Sequence, residues 1–356
     1  MVEAKDGLMR VVFYIVGIFF MVFNGGHVQA DAVDVFIEKK MEVKHIPGLQ
    51  LAIIENGKLV KLSNYGHLDI EKTVDVQTDT LFPINSMTKA FTGTLIVKLA
   101  SQNKLTLSDP IGKHLDNLPS SWQSITIQQV LSHASGLPSI LTGNVIELVG
   151  DGSDASAWEE VKKLPMQSES DLAFNYNQTG YVILGKIIEK YSGKNFSETI
   201  QELLIEIGMT DTAKNSFGMP ATQQYFYAND IHQSMALNFP PILWPAAGMS
   251  SNAQDLAKFV VALQTHKVFD ATHLNTLWTP HRLSSGSTAG FNDNENGYAA
   301  GWQVITRKSN SAVSASGGNA VTLIVYPQDN LSIIVLTNLL GSLPIEFVDE
   351  IAALYH

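Results

Sequence analysis

Apolar residues recur at three- and four-residue spacing in several stretches of the chain, which is the spacing of a helix that buries one face. The first stretch places Val33, Ile37 and Met41 four residues apart and ends before Pro47-Gly48. The other predicted helices are residues 89–100, 126–132, 181–191, 197–207, 253–263 and 345–355. Most of these helices therefore fall in the middle of the chain.

Shorter stretches rich in apolar and β-branched residues are predicted to be strands. Two of them, 49–55 and 59–65, are separated by Asn56-Gly57-Lys58, and Asn-Gly is the strongest short signal for a hairpin. The others lie near the opposite end of the chain with polar turns between them, at residues 301–306, 312–316, 321–326 and 331–337. The predicted strands thus flank most of the helices in the sequence.

This order of elements predicts an α/β fold of the α+β type. An antiparallel sheet is built from both chain ends and flanked by the terminal helices, and a mostly helical lobe is inserted between its two parts. We place the sheet lobe at residues 31–80 and 290–356 and the helical lobe at residues 81–289. A cleft between two lobes is the default position for a ligand site.

The beginning of the chain has the pattern of a secretory signal peptide. Residues 11–23 form an unbroken apolar run after Arg10, and small residues suited to a signal peptidase follow, ending at Ala30. The run is shorter than the roughly 20 residues that a membrane-spanning helix needs. We expect residues 1–30 to be removed and the rest to be exported, as a periplasmic or secreted protein without stable membrane insertion. A start at Met9 and an uncleaved anchor are the alternatives.

Composition excludes several classes of function. Charged residues make up 16% of the 356 residues, compared with about 25% in an average soluble domain, and the formal net charge is -11. An acidic protein repels nucleic-acid phosphates, so we expect no nucleic-acid partner. The chain has no cysteine, which removes thiolate nucleophiles and cysteine zinc sites, and its histidines show no metal-ligand spacing. We therefore expect no metal and no other cofactor.

Ser86-Met87-Thr88-Lys89 is a candidate nucleophile motif. Serine and lysine three residues apart share one face of a helix, so the amine can reach the hydroxyl. The start of a helix also favours the negative charge of an alkoxide or an oxyanion. A second copy, Ser101-Gln102-Asn103-Lys104, lies at a predicted helix end, so the motif alone does not distinguish a nucleophile from a helix cap.

The Ser-Lys motif is one of several sequence segments, spread over most of the chain, that form a wider pattern. The segments that carry it are residues 80–92, 130–138, 176–185, 248–256, 298–302 and 335–338, in that order. Together they resemble the serine β-lactamase and penicillin-binding protein superfamily, and most closely its class C and esterase branch. The resemblance implies a β-lactamase/transpeptidase-like fold and a serine hydrolase that works through an acyl-enzyme. Ser86 would be its nucleophile and Lys89 would transfer protons.

In that family a tyrosine, followed two residues later by asparagine, faces the serine and shares proton transfer with the lysine. The resemblance places this tyrosine at Tyr176, where Gln178 replaces the asparagine and carries its amide one methylene farther out. We assign Gln178 to substrate binding. Tyr227-Ala228-Asn229 matches the pattern literally, but its surroundings lack the resemblance, and we interpret it as coincidence.

The third family element is a strand segment of lysine or histidine, any residue, then glycine. The matching segment is Ala315-Ser316-Gly317, followed by Gly318, so the basic residue is missing. The resemblance implies an oxyanion hole made of the Ser86 and Gly318 amides, with Ser316 and Gly317 contacting substrate. Losing the cation weakens recognition of a substrate carboxylate more than attack on a neutral ester.

Three further residues are judged against this site. Arg307 and Lys308 are candidate replacements for the missing cation, although both lie at the far end of the predicted hairpin. His133, in a predicted loop, is expected to hold backbone in place rather than to act on substrate.

The favoured hypothesis is an exported serine hydrolase acting on small ester, amide or peptide substrates, a group that includes β-lactams and D-amino-acid peptides. Ala315 and Gln178 motivate a second hypothesis, a catalytically weak or inactive binding or regulatory protein on the same fold. A cell-wall D-alanyl-D-alanine carboxypeptidase is the third. The three demand, respectively, turnover that depends on Ser86, ligand affinity without acylation, and recognition of a D-alanine terminus.

Overall fold

The computed structural model describes residues 31–71, 73–143, 146–218 and 222–355. The predicted signal peptide, residues 1–30, lies outside the described residues. Within the described ranges, no helix combines the length and the apolar character needed to cross a membrane.

A large antiparallel sheet forms the centre of the molecule. Its strands are β1 Gly48–Glu55, β2 Lys58–Asp69, β3 Val74–Asp75, β8 Gly297–Tyr298, β9 Gln303–Ile305, β10 Ala312–Gly317, β11 Val321–Tyr326 and β12 Leu331–Thr337. The strand order is β3-β2-β1-β12-β11-β10-β9-β8, so the two groups of strands meet where β1 pairs with β12. The prediction of an antiparallel sheet built from both chain ends is confirmed.

Two small sheets and a set of helices complete the fold. The small sheets pair β4 Phe82–Pro83 with β7 Ser250–Ser251, and β5 Gln224–Ala228 with β6 Ile231–Met235. The helices are α1 Ala32–Lys44, α2 Thr88–Ser101, α3 Ile127–Leu131, α4 Asp154–Val161, α5 Thr179–Ser192, α6 Phe196–Ile207, α7 Thr210–Lys214, α8 Ala253–Gln264, α9 Ala271–Trp278 and α10 Val348–Ala353. Each predicted helix is present, and α4, α7 and α9 were not predicted.

The large sheet is covered on both faces, which explains why its central strands are apolar throughout. In β1, successive side chains point to opposite faces. Leu49 and Leu51 join the core formed with α1 and α10, whereas Ala52 and Ile54 join the larger core that contains α2, α5 and α8. The terminal helices therefore seal one face, and the helical part of the chain seals the other.

The β5–β6 hairpin is a feature that the sequence prediction missed. It contains Tyr227, whose ring stacks on His45 at a centroid distance of 3.9 Å. Asn229 forms the hairpin turn with Asp230, and both have positive φ angles. The Tyr227-Ala228-Asn229 match thus belongs to a surface hairpin.

Helix α2, which carries the Ser-Lys motif, approaches the edge of the sheet at backbone distance. A Cβ added to Gly93 would lie 2.0 Å from the Ala300 carbonyl oxygen. Gly301, at φ +86°, makes the reciprocal contact, and a Cβ there would lie 2.2 Å from the Lys89 carbonyl oxygen. No side chain fits between the helix and the segment that joins β8 to β9.

We expect Gly93→Ala to destabilise the protein by about 1–3 kcal/mol, because the added methyl overpacks this contact. In a helix without such a contact, the same change would stabilise by roughly 0.5–1 kcal/mol. The sign of the change in the free energy of unfolding, measured by urea denaturation, decides between the two. Increased stability would show that α2 does not need this close approach.

Candidate active site

Ser86 lies in a short 3-10 turn, Asn85–Met87, directly before α2. The turn is anchored from one side by the β4–β7 pair and by the Ile84 amide, which donates to the Met249 carbonyl at 2.9 Å. Asn85 has a φ of +47°, a left-handed conformation that asparagine tolerates better than most residues. The nucleophile candidate thus sits on a fixed, sharply bent segment.

The Lys89 amine is fully buried and lies 3.4 Å from Ser86 Oγ. It donates a second hydrogen bond to the Ala246 carbonyl at 2.7 Å. The rings of Tyr176 and Tyr181 lie 4.8 and 5.2 Å from its Nζ. Because burial penalises the charged form, the pKa of Lys89 is held well below its usual range. Burial therefore favours the neutral amine, whose lone pair can accept a proton.

Tyr176 faces the same pair from the segment that precedes α5. Burial raises the pKa of Tyr176 to about 12, against the opposing effect of hydrogen bonds with Ser86 and Gln178. Its phenol is therefore protonated at neutral pH. The pKa shifts of Lys89 and Tyr176 run in opposite directions, and both favour the neutral form: an amine with a free lone pair and a phenol that keeps its proton.

His133 holds the segment that carries Tyr176. The Asn175 amide donates to the His133 carbonyl at 2.8 Å, and the Asn177 amide donates to His133 Nδ1 at 3.4 Å. Burial keeps the pKa of His133 well below its usual range. The expectation that this histidine fixes backbone is confirmed by these two contacts.

The end of β10 packs directly against the Ser86 turn. A Cβ added to Gly317 would lie 2.1 Å from the Ile84 carbonyl oxygen and 2.9 Å from the Ser86 nitrogen. Gly318 follows at φ +60°. Within the described residues, neither the Ser86 amide nor the Gly318 amide donates a hydrogen bond to another group. Both amides are thus free to hold an oxyanion.

A cavity of about 720 Å³ opens on Ser86. Tyr176, Ser316, Gly317 and Gly318 line it, so the structure brings these predicted site residues together. The rest of its wall is formed by Phe291, Asn292, Asn294, Glu295, Gln303, Ile305, Arg307, Asn319, Leu343, Ile345, Glu346 and Asp349. Gln178 is outside this lining, and its buried Oε1 atom has no hydrogen-bond partner among the described residues.

Among the described residues, the cavity wall has no unpaired cation to replace the one missing from the third motif. Ala315 is only 2% exposed and belongs to the hydrophobic core rather than to the cavity wall. Arg307 does line the cavity, because β9 and β10 pair over three residues only and the far end of their hairpin stays close to the site. Its guanidinium, however, forms an ion pair with Asp349 at 2.8 Å.

The second Ser-x-x-Lys copy has a structural role. Ser101 is the last residue of α2, and its hydroxyl donates to the Lys98 carbonyl at 2.8 Å. Lys104 is exposed. Neither residue lines the cavity on Ser86.

A sheet completed by both ends of the chain, with a buried Ser-Lys helix packed under it, is the architecture of penicillin-binding proteins and serine β-lactamases. The chain belongs to the Beta-lactamase family, whose family model matches residues 33–355. Membership of this family, whose proteins are generally serine hydrolases, is consistent with hydrolase activity.

Curated relatives and solved structures agree with this assignment. Protein flp of Staphylococcus aureus is 28% identical over 323 residues, which are 86% of this chain and 62% of that protein. A Beta-lactamase of Providencia stuartii is 29% identical over 243 residues, covering 66% of this chain and 60% of that protein. This chain thus spans less than two thirds of the length of either relative.

The solved structures show the fold. The D-amino acid amidase of Ochrobactrum anthropi complexed with L-phenylalanine amide has a TM-score of 0.76 at 21% identity, covering 91% of this chain and 98% of that chain. The penicillin binding protein of Bacillus halodurans has a TM-score of 0.72 at 21% identity, covering 91% of this chain and 100% of that chain.

We expect Lys89→Met to change the pH dependence of stability. A lysine whose pKa is lowered by folding binds its proton more tightly in the unfolded state, so wild-type stability falls as the pH falls from about 10.5 toward the folded pKa. Methionine removes this term while keeping the length of the side chain. As the pH rises toward about 10, the stability of the wild type should therefore increase relative to that of the variant.

Urea denaturation at several pH values measures this slope. Lys104→Met is the matched control, because the exposed Lys104 is solvated in the folded and the unfolded state. Equal slopes for wild type and Lys89→Met would contradict a neutral buried amine at position 89.

Proposed function

We propose that the protein is a serine hydrolase that cleaves small esters or amides through an acyl-enzyme. The observation that carries the proposal is the buried Lys89 amine 3.4 Å from Ser86 Oγ, without a carboxylate partner among the described residues. A lysine paired with a carboxylate would stay charged and could not remove a proton. Burial instead prepares this amine as a general base.

The reaction follows from the geometry of the cavity. Lys89 takes the Ser86 proton while Oγ attacks the substrate carbonyl, and the negative oxygen binds the Ser86 and Gly318 amides. Tyr176 passes a proton to the leaving group as the carbonyl–heteroatom bond breaks, and Lys89 restores it. Water then attacks the acyl-enzyme by the same route and releases Ser86.

The walls of the cavity favour substrates without a carboxylate. Ala315 supplies no cation, and the guanidinium of Arg307 is already bound to Asp349. A free carboxylate would therefore enter the cavity without an unpaired positive group to receive it. Neutral esters need only the nucleophile, the base and the two amides.

We further propose that the protein is exported, on the basis of the apolar run 11–23 and the small residues that end at Ala30. Removal of residues 1–30 would leave a chain that begins at Asp31, which is the N-cap of α1.

We expect a serine-reactive phosphonate to form a covalent adduct at Ser86 and not at Ser101. Of these two serines, only Ser86 has a buried amine and two free amides around its hydroxyl. Intact-mass measurement followed by peptide mapping locates the adduct, with Ser86→Ala and Ser101→Ala as a matched pair. Tight ligand binding without an adduct would instead support the non-catalytic hypothesis.

We expect small neutral p-nitrophenyl esters to be hydrolysed with a kcat/KM about tenfold or more above that of penicillins or cephalosporins. Tenfold is the scale of one missing charge-assisted hydrogen bond. Spectrophotometric assays of both substrate classes measure this ratio, with Ser86→Ala as background. Efficient β-lactam hydrolysis with inert esters would show that some group still binds the substrate carboxylate.

A further inference from the structure

The charges around the cavity do not cancel. Its wall contains three carboxylates, Glu295, Glu346 and Asp349, and a single guanidinium, Arg307. Asp349 is paired with Arg307 and also accepts from the Tyr326 hydroxyl at 2.6 Å.

Glu346 and Glu295 differ in their partners. Glu346 is paired with Lys44 at 3.2 Å. Glu295 has no lysine, arginine or histidine within ion-pair distance among the described residues.

Glu295 is held in place by its own loop. The Asn292 side-chain amide donates to Glu295 Oε2 at 3.0 Å, and Asn292 Oδ1 accepts from the Glu295 backbone amide at 2.9 Å. Asn296 ties the loop to the sheet through two hydrogen bonds with the Thr306 backbone. The carboxylate is therefore fixed on the wall and partly withdrawn from water.

The same loop reaches the reacting end of the cavity. The Phe291 ring lies 5.0 Å from the Tyr176 ring, centroid to centroid, and is 44% exposed. Phe291 also contacts Phe174 edge-on at 5.3 Å. One short segment thus joins an apolar surface beside Tyr176 to an unpaired carboxylate in the same cavity.

We propose that Glu295 binds an ammonium group of the substrate, so that the preferred substrates are esters or amides with a cationic amine. The proposal rests on the proposed hydrolase function and specifies its substrate class. An ammonium would pair with the one carboxylate of the wall that lacks a cation. Burial raises the pKa of Glu295 because it penalises the charged carboxylate, and a bound cation would offset this penalty. The alkyl part of such a substrate would lie on Phe291.

The test compares p-nitrophenyl esters of ω-amino acids of increasing chain length with isosteres in which methyl replaces ammonium. We expect wild-type kcat/KM to be about tenfold or more higher for the ammonium ester at the best length. Glu295→Gln should reduce this ratio toward one. Asp293→Asn is the matched control, since it removes the same charge from an exposed position of the same loop and should leave the ratio unchanged.

Hydrolysis of the methyl isostere by Glu295→Gln reports whether the variant is folded. Ser86-dependent hydrolysis with no preference for the ammonium ester would overturn this inference and leave the proposed function standing. An equal fall of the ratio in Asp293→Asn would also overturn it, because a general field effect would then explain the preference.

A binding measurement covers the case in which no ester is hydrolysed and the proposed function fails. Calorimetric titration of Ser86→Ala with the ω-amino amides should show about tenfold tighter binding than with their methyl isosteres. The same titration of the Ser86→Ala, Glu295→Gln double variant should show no difference. Equal affinities in Ser86→Ala would refute the ammonium site independently of catalysis.

Discussion

The whole arrangement depends on backbone packed directly against backbone at two places beneath the Ser86 turn. Gly93 and Gly301 let α2 lie on the segment between β8 and β9, and Gly317 lets β10 touch the backbone of Ile84 and Ser86. Side chains at these contacts would push the helix away from the sheet. Ser86 and the strand that precedes Gly318 would then separate, so glycine at these positions sets the distances within the candidate site.

The same close packing controls the electrostatics. A helix pressed onto the sheet excludes water from the Lys89 amine, whose polar contacts are Ser86 Oγ and the Ala246 carbonyl. Desolvation then lowers the pKa of Lys89 and raises the pKa of Tyr176. The reason is that an amine is neutral after it has released its proton, whereas a phenol is neutral while it keeps its proton. One physical cause therefore keeps both the amine and the phenol neutral at the same site.

The fold could be predicted from the sequence because it depends on local periodicity and turn signals. The spacing of Ser86 and Lys89 marked a candidate pair, whereas Tyr176 was found only through the resemblance to a known family. The β5–β6 hairpin was missed although its turn, Asn229-Asp230, had the polar residues that a two-residue hairpin favours. Partners such as the Ala246 carbonyl and the carboxylate of Glu295 could not be found in this way. They lie in irregular segments, and only the folded chain brings them to the site.

The pairing of β1 with β12 has a consequence for how the Ser86 site forms during folding. Leu49 and Thr337 are neighbours in the sheet although most of the chain separates them. Pairings between such distant residues form slowly, since the entropy of closing a long loop is lost before the contacts that stabilise the pairing can form. Until β12 docks, β1 has an open edge that can pair with other chains. The Ser86 site thus forms late in folding, and its appearance reports that the central sheet is complete.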